Sequence, residues 1–201
     1  ELVKGISRRD GEAMEGAGMK GLSFSETMVK SWLAGRKSVT RRLMNPQPAE
    51  GAYPHHDEDG TVVFANPCTF LRISLYKPRY LPGETIYIKE TWAQTFDSRY
   101  PDDPYLHYKA SNTSYKGPWK SPRFMPEWAA RSHARIVSVR PERIQSITDE
   151  EAQKEGIGKA PEGWEDVSKS SVFLFRTLWD TLCPGSWERN DFVFRYELKK
   201  V

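Results

Sequence analysis

The run Gly35-Arg36-Lys37-Ser38-Val39-Thr40-Arg41-Arg42 gathers four cations within seven residues. Such a cluster suits a phosphate or a polarised carbonyl oxygen. Read as a strand, Val39 to Arg42 puts Thr40 and Arg42 on one face, because strand side chains alternate. Lys37 lies in the turn just before, where it leans over Thr40. A Lys beside a Thr hydroxyl activates an oxygen nucleophile once burial lowers the Lys pKa. The same residues also fit a solvated basic turn.

A second group is Thr148-Asp149-Glu150-Glu151-Ala152-Gln153-Lys154-Glu155-Gly156. Thr148 and Glu151 form a capping box, and acids early in a helix suit its macrodipole. Glu155 falls at the other end, where negative charge is disfavoured. A cation in a cleft would account for it. Glu90 and Trp92 follow an apolar strand from Thr85 to Lys89. If that strand continues, both share a face with Ile86 and Ile88. Glu90 then pairs with Arg41 or Arg42, or binds a base edge. Trp92 either stacks a base or packs in the core. Aromatic and basic residues also alternate from Tyr100 to Arg123, which fits a single nucleic-acid strand or a loop packing its own rings. His55, His56, Asp57 and Asp59 have metal-ligand chemistry but lack a second pair at a recognisable spacing. No metal and no cofactor is expected. Cys68 and Cys183 are the two cysteines, too few for a disulfide scaffold or a four-cysteine zinc site.

The elements that must position these residues follow from periodicity. Lys20 to Phe24 reads as a strand and Ser25 as the N-cap of a helix bearing Met28, Trp32 and Leu33 on one face. Gly35 ends that helix. Val39 to Met44 is the next strand. A long loop from Asn45 to Asn66 includes part of a hairpin, Thr61 to Ala65 with Phe70 to Tyr76. Pro82-Gly83-Glu84 turns the chain into Thr85 to Lys89. Residues 93 to 126 read as an insertion with one short strand, Leu106 to Lys109. Ser132 to Val139, a short helix from Thr148 stopped by Gly156, a helix from Ser168 to Leu182 and a strand from Phe192 to Leu198 complete the series. Strands interleaved with three helices predict an α+β barrel.

Charge and composition bound the rest. The chain has 201 residues and a net charge of +3. Residues 20 to 143 carry 19 basic and 12 acidic residues, whereas 144 to 171 carry 3 basic and 7 acidic. That asymmetry fits a polyanion-facing body beside a carboxylate-bearing element. The mean hydropathy is −0.69, yet seven Trp, nine Tyr and nine Phe can build a core. No apolar run reaches the roughly 18 residues of a membrane span. Residues 1 to 18 read as a flexible leader, with Met19 as a start. Residues 19 to 201 read as one domain with insertions at about 45–79 and 93–127. A cytoplasmic location is the default.

In this order, Gly35, Lys37, Thr40 and Arg42, then Pro82-Gly83-Glu84, then a strand, a short acidic helix ending in Glu and a last strand, the chain resembles the ASCH family. Lys-Glu-Thr-Trp at 89 to 92 and Phe-Arg-Thr-Leu-Trp-Asp at 175 to 180 resemble its larger phage and prophage branch. The resemblance covers about residues 20–43, 80–92 and 130–200. It implies a PUA-like β-barrel and a nucleoside or nucleic-acid partner, RNA in preference to DNA. Small bacterial members include amidohydrolases that deacetylate N4-acetylcytidine. By that resemblance Thr40 is the nucleophile, Lys37 its activator and Glu155 a proton carrier or orienter. Arg42 binds substrate or stabilises an oxyanion, with Arg41, Glu90 and Trp92 as further substrate contacts. The alternatives are a non-catalytic RNA or DNA reader and a ribonuclease. The two insertions have no counterpart in those smaller enzymes.

Overall fold

The structure is a computed structural model describing residues 18–56, 62–65, 72–97, 100–111, 114–158 and 170–201. The expected leader, apart from Gly18, and Cys68 lie outside them. The fold is mixed α+β, with strands in sheets of five, three and two. The five-stranded sheet runs β1 (Lys20–Ser23), β6 (Thr85–Lys89), β9 (His133–Arg143), β10 (Phe192–Lys200), β2 (Val39–Leu43). β1 is parallel to β6, and the other neighbours are antiparallel.

β10 explains how this sheet carries two cores. Phe192, Phe194, Tyr196 and Leu198 alternate onto one face and join Leu22, Ile86, Ile88 and Ile136. Helix α1 (Glu26–Leu33) adds Val29 and Trp32 to that core. Val193 points the other way, into a core with Ile144, Ala152, Phe175 and Trp179. Helices α2 (Asp149–Lys154) and α3 (Ser171–Leu182) cover that face.

The end signals behave as expected. Ser25 Oγ accepts from the Met28 amide, and Gly35 takes φ of 72° just beyond α1. Thr148 accepts the Glu151 amide. The expected capping box is only half made, however. The Glu151 carboxylate turns to Arg41 and Arg195, since charge-assisted bonds to two guanidiniums outweigh one to a backbone amide.

The expected barrel closure is absent. Among the described residues no ladder joins β1 to β2, so the sheet is open between them. β1 has four residues, and the chain turns into α1 almost at once. The Ser23 carbonyl instead accepts the Arg42 guanidinium, Nη2 at 2.7 Å.

The insertions are more ordered than the sequence predicts. The first forms an antiparallel sheet of β3 (Tyr53–His56), β4 (Val62–Ala65) and β5 (Arg72–Tyr76). Phe64 from β4 is fully buried, edge-on to Tyr76 at 5.2 Å and to Phe192 at 4.8 Å. This insertion therefore shares the main core. The second is a hairpin of β7 (Trp92–Asp97) and β8 (Tyr100–Tyr108), not one short strand. Pro101 and Pro104 sit in β8, tolerated because a two-stranded ribbon is all edge. No helix among the described residues is long and apolar enough to cross a membrane.

Replacing Phe64 by Ala should cost about 3 to 5 kcal/mol, read as a lowered urea midpoint. Because the ring serves both sheets, unfolding should remain a single transition. A separate early transition for the insertion would contradict the shared core.

Candidate functional site

Lys37, Thr40 and Glu155 come together at one cavity. Its volume is about 480 Å³, within the ~300–1,000 Å³ usual for small-ligand sites. Phe24, Met28, Phe175, Leu178 and Trp179 give it apolar walls, and Arg41 and Arg42 line it together with the three polar residues. The turn after α1 delivers Lys37, β2 delivers Thr40, and the residue ending α2 is Glu155.

Lys37 is 3% exposed. Its ammonium donates to the carbonyls of Val39 and Glu155 and to Glu155 Oε2, each at 2.7 Å. Nζ also lies 5.0 Å from the centre of the Phe24 ring. Burial pushes the Lys37 pKa down, and the Glu155 carboxylate partly offsets this. The Thr40 hydroxyl, by contrast, makes no hydrogen bond among the described residues, while Thr40 lines the cavity.

Glu155 is held from both sides. Its other oxygen accepts from Arg41 Nη1 at 3.1 Å. Arg41 in turn takes Glu142 through Nε at 2.7 Å and Glu151 through Nη2 at 3.0 Å. Arg195, paired with Arg41 across β10 and β2, grips both oxygens of Glu151 at 2.8 and 2.9 Å. Three cations thus meet three carboxylates below the cavity. Arg41 was expected to bind substrate. Its guanidinium is instead committed to carboxylates, so it positions Glu155. Arg42 alternates away from it, half-buried in the cavity wall.

Glu90 and Trp92 do not join this site. β6 ends at Lys89, and Trp92 starts β7 in a different sheet, so the expected continuous face is broken. Glu90 forms a two-pronged pair with Arg131, both contacts 2.8 Å, rather than pairing with Arg41 or Arg42. Trp92 is buried with Met125 and Ala129, under Lys120 at 4.7 Å. Of its two readings, core packing holds. The aromatic stretch packs on itself in part: Tyr115 stacks on His107 and meets Trp119 edge-on. His55 is exposed, and Asp57 and Asp59 lie outside the described residues. Among the described residues no three His, Cys, Asp or Glu gather as metal ligands.

Sequence reasoning missed Glu142, Glu151 and Arg195. Arg195 left a signal, a lone cation between Phe194 and Tyr196 in an apolar strand. Glu151 left none, because the helix macrodipole already accounted for it. Cys183, on the cavity wall, is a free thiol whose pKa burial pushes up.

Gly156 fixes the end of α2 at φ of 91°, and an added Cβ would stand 2.7 Å from Ser31 Cβ and 3.2 Å from Lys37 Cβ. Gly156→Ala should destabilise by roughly 2 kcal/mol or more, from left-handed backbone plus crowding, measured by urea unfolding. Glu151 gives a pH test. Chiefly its hydrogen bonds to Arg195 hold its pKa down at about 2. The folded pKa lies below the unfolded one, so its contribution is whole at neutral pH. That contribution fades as pH falls through the ordinary carboxylate range toward about 2. Glu151→Gln should flatten this acid limb in a stability titration against pH. Comparison with protein-family models, curated proteins and solved structures returns no match.

Proposed function

We propose that the cavity takes a nucleobase or nucleoside and hydrolyses an N-acyl amide on it, as expected for a PUA-like ASCH protein acting on an N-acylated cytidine. One observation carries this reading: an unengaged Thr40 hydroxyl shares an apolar cavity with a buried Lys37–Glu155 pair. A flat heterocycle would lie on the apolar walls that include Phe24 and Phe175, its acyl group toward Thr40.

The chemistry balances with these groups. Lys37, whose pKa burial pushes down, gives a proton to solvent, and Glu155 orients the neutral amine. The amine then takes the Thr40 proton as Oγ1 attacks the acyl carbon. Arg42 faces the oxyanion. The C–N bond breaks as Lys37 returns the proton to the leaving amine. Water then attacks the threonine ester, regenerating Thr40 and releasing the carboxylic acid.

One observation favours a second reading, a non-catalytic reader. The three donors of the Lys37 ammonium are all already matched to protein acceptors, as a structural clamp would have them.

The test is turnover of N4-acetylcytidine and related N-acyl nucleosides, followed by chromatography, with binding measured in parallel. Thr40→Ala and Lys37→Ala should each lower turnover by about 10²-fold or more, and Thr40→Ala should keep ligand binding. Binding without turnover in the wild type would select the reader. Neither binding nor turnover would sink both.

A further inference from the structure

A second and larger depression, about 860 Å³, adjoins the cavity and shares Ser23, Arg42 and Leu43 with it. Its lining includes Arg42, Lys77, Arg79, Lys89 and Arg123, and no Asp or Glu. Among the described residues none of these five has a carboxylate within salt-bridge reach. Glu84, five residues from both Arg79 and Lys89, is held by Lys20 at 2.8 Å, and Glu90, next to Lys89, is held by Arg131 at 2.8 Å. Lys89 donates to the Arg123 carbonyl at 2.8 Å, and the Arg79 guanidinium lies 5.6 Å from the Tyr80 ring centre. By contrast, Arg41, Arg131 and Arg195 are each matched to carboxylates.

Five unmatched cations around one concavity repel one another, and an anion relieves that cost. The anion must also be extended, because the cations come from β2, β6 and both insertions. Lys77 and Arg79 follow β5 of the first insertion, and Arg123 follows the hairpin of the second. Of the five cations only Arg42 lines both concavities. One ligand therefore fits both: a polyanionic backbone with a flat apolar group branching from it.

We propose that this groove holds the phosphodiester backbone of a single nucleic-acid strand, from which one base turns past Arg42 into the cavity. The inference rests on reading the cavity as a nucleobase pocket, and makes the target a residue within a strand rather than a free nucleoside. Both insertions then serve the strand. Phosphates bind the groove, and the base enters the apolar cavity.

The test is fluorescence anisotropy with a labelled twelve-nucleotide single-stranded RNA, the same sequence as DNA, and poly-glutamate as competitor, over a salt series. Affinity should fall as salt rises, with a slope of roughly 0.7 per phosphate contact. Arg79→Gln with Arg123→Gln should weaken strand binding about tenfold or more and cut the slope by roughly 1.4, two contacts' worth. An unchanged urea midpoint would show that the pair still folds. Lys199→Gln with Lys200→Gln removes the same charge from the exposed end of β10 and should leave affinity within about twofold. RNA and DNA binding alike supports phosphate contacts alone, and RNA binding alone adds the ribose hydroxyl. Equal losses in the two double variants, competition by poly-glutamate as strong as by RNA, or no strand binding would each overturn the proposal. Anisotropy reads binding rather than turnover, so strand binding in the groove is measured even where the cavity is catalytically silent.

Discussion

The buried guanidinium of Arg41 is the constraint on which the site depends. Three carboxylates from β9, α2 and the residue ending α2 converge on it. Breaking such a cluster by removing one partner typically costs about 3 to 5 kcal/mol, because the other charges stay buried and uncompensated. Its net stabilising effect is modest for the same reason: burying six charged groups is itself unfavourable. What it contributes is position. With Arg41 on one oxygen and Lys37 on the other, Glu155 has one orientation. The Lys37 ammonium is thereby fixed in the wall of a largely apolar cavity.

The rest of the molecule arranges the backbone around that cluster. β10 puts apolar residues on both faces, so α2, which carries Glu151 and is capped by Glu155, packs with α3 against the face bearing Val193. Ser31 Oγ donates to the Gly156 carbonyl at 2.8 Å, and the Ser38 amide donates to the Lys154 carbonyl at 2.8 Å. These bonds tie the end of α2 to the turn that carries Lys37. The insertions are built into the frame. The first reaches the main core through Phe64. The second brings Pro122 to the cavity wall and Arg123 to the neighbouring groove.

Much of this was legible locally. Ser25, Gly35, Thr148 and Gly156 act within a few residues of their place in the chain, so their roles can be read there. Glu155 was legible because its charge contradicts the helix end it occupies. Glu90 was not, since its partner Arg131 lies 41 positions away. The fate of β6 after Lys89 depended on which sheet Trp92 would join. β8 looked irregular from its prolines, and only its edge position makes them acceptable. Barrel closure is not legible for a similar reason. Strand periodicity predicts the strands, but closure depends on whether β1 is long enough to meet β2.

β10 has a further consequence, for the order in which the chain acquires its shape. It lies between β9 and β2, yet it is the last described strand in the chain. Until residues 192–200 have left the ribosome, β2 lacks its sheet partner and the buried arginine at its centre lacks the surface that covers it. β1, β6 and β9 can pair with one another before then, but β2 stays unpaired until β10 emerges. Completion of this sheet waits for β10, and a chain cut short before residue 192 exposes the edges of β9 and β2, which chaperones and proteases recognise.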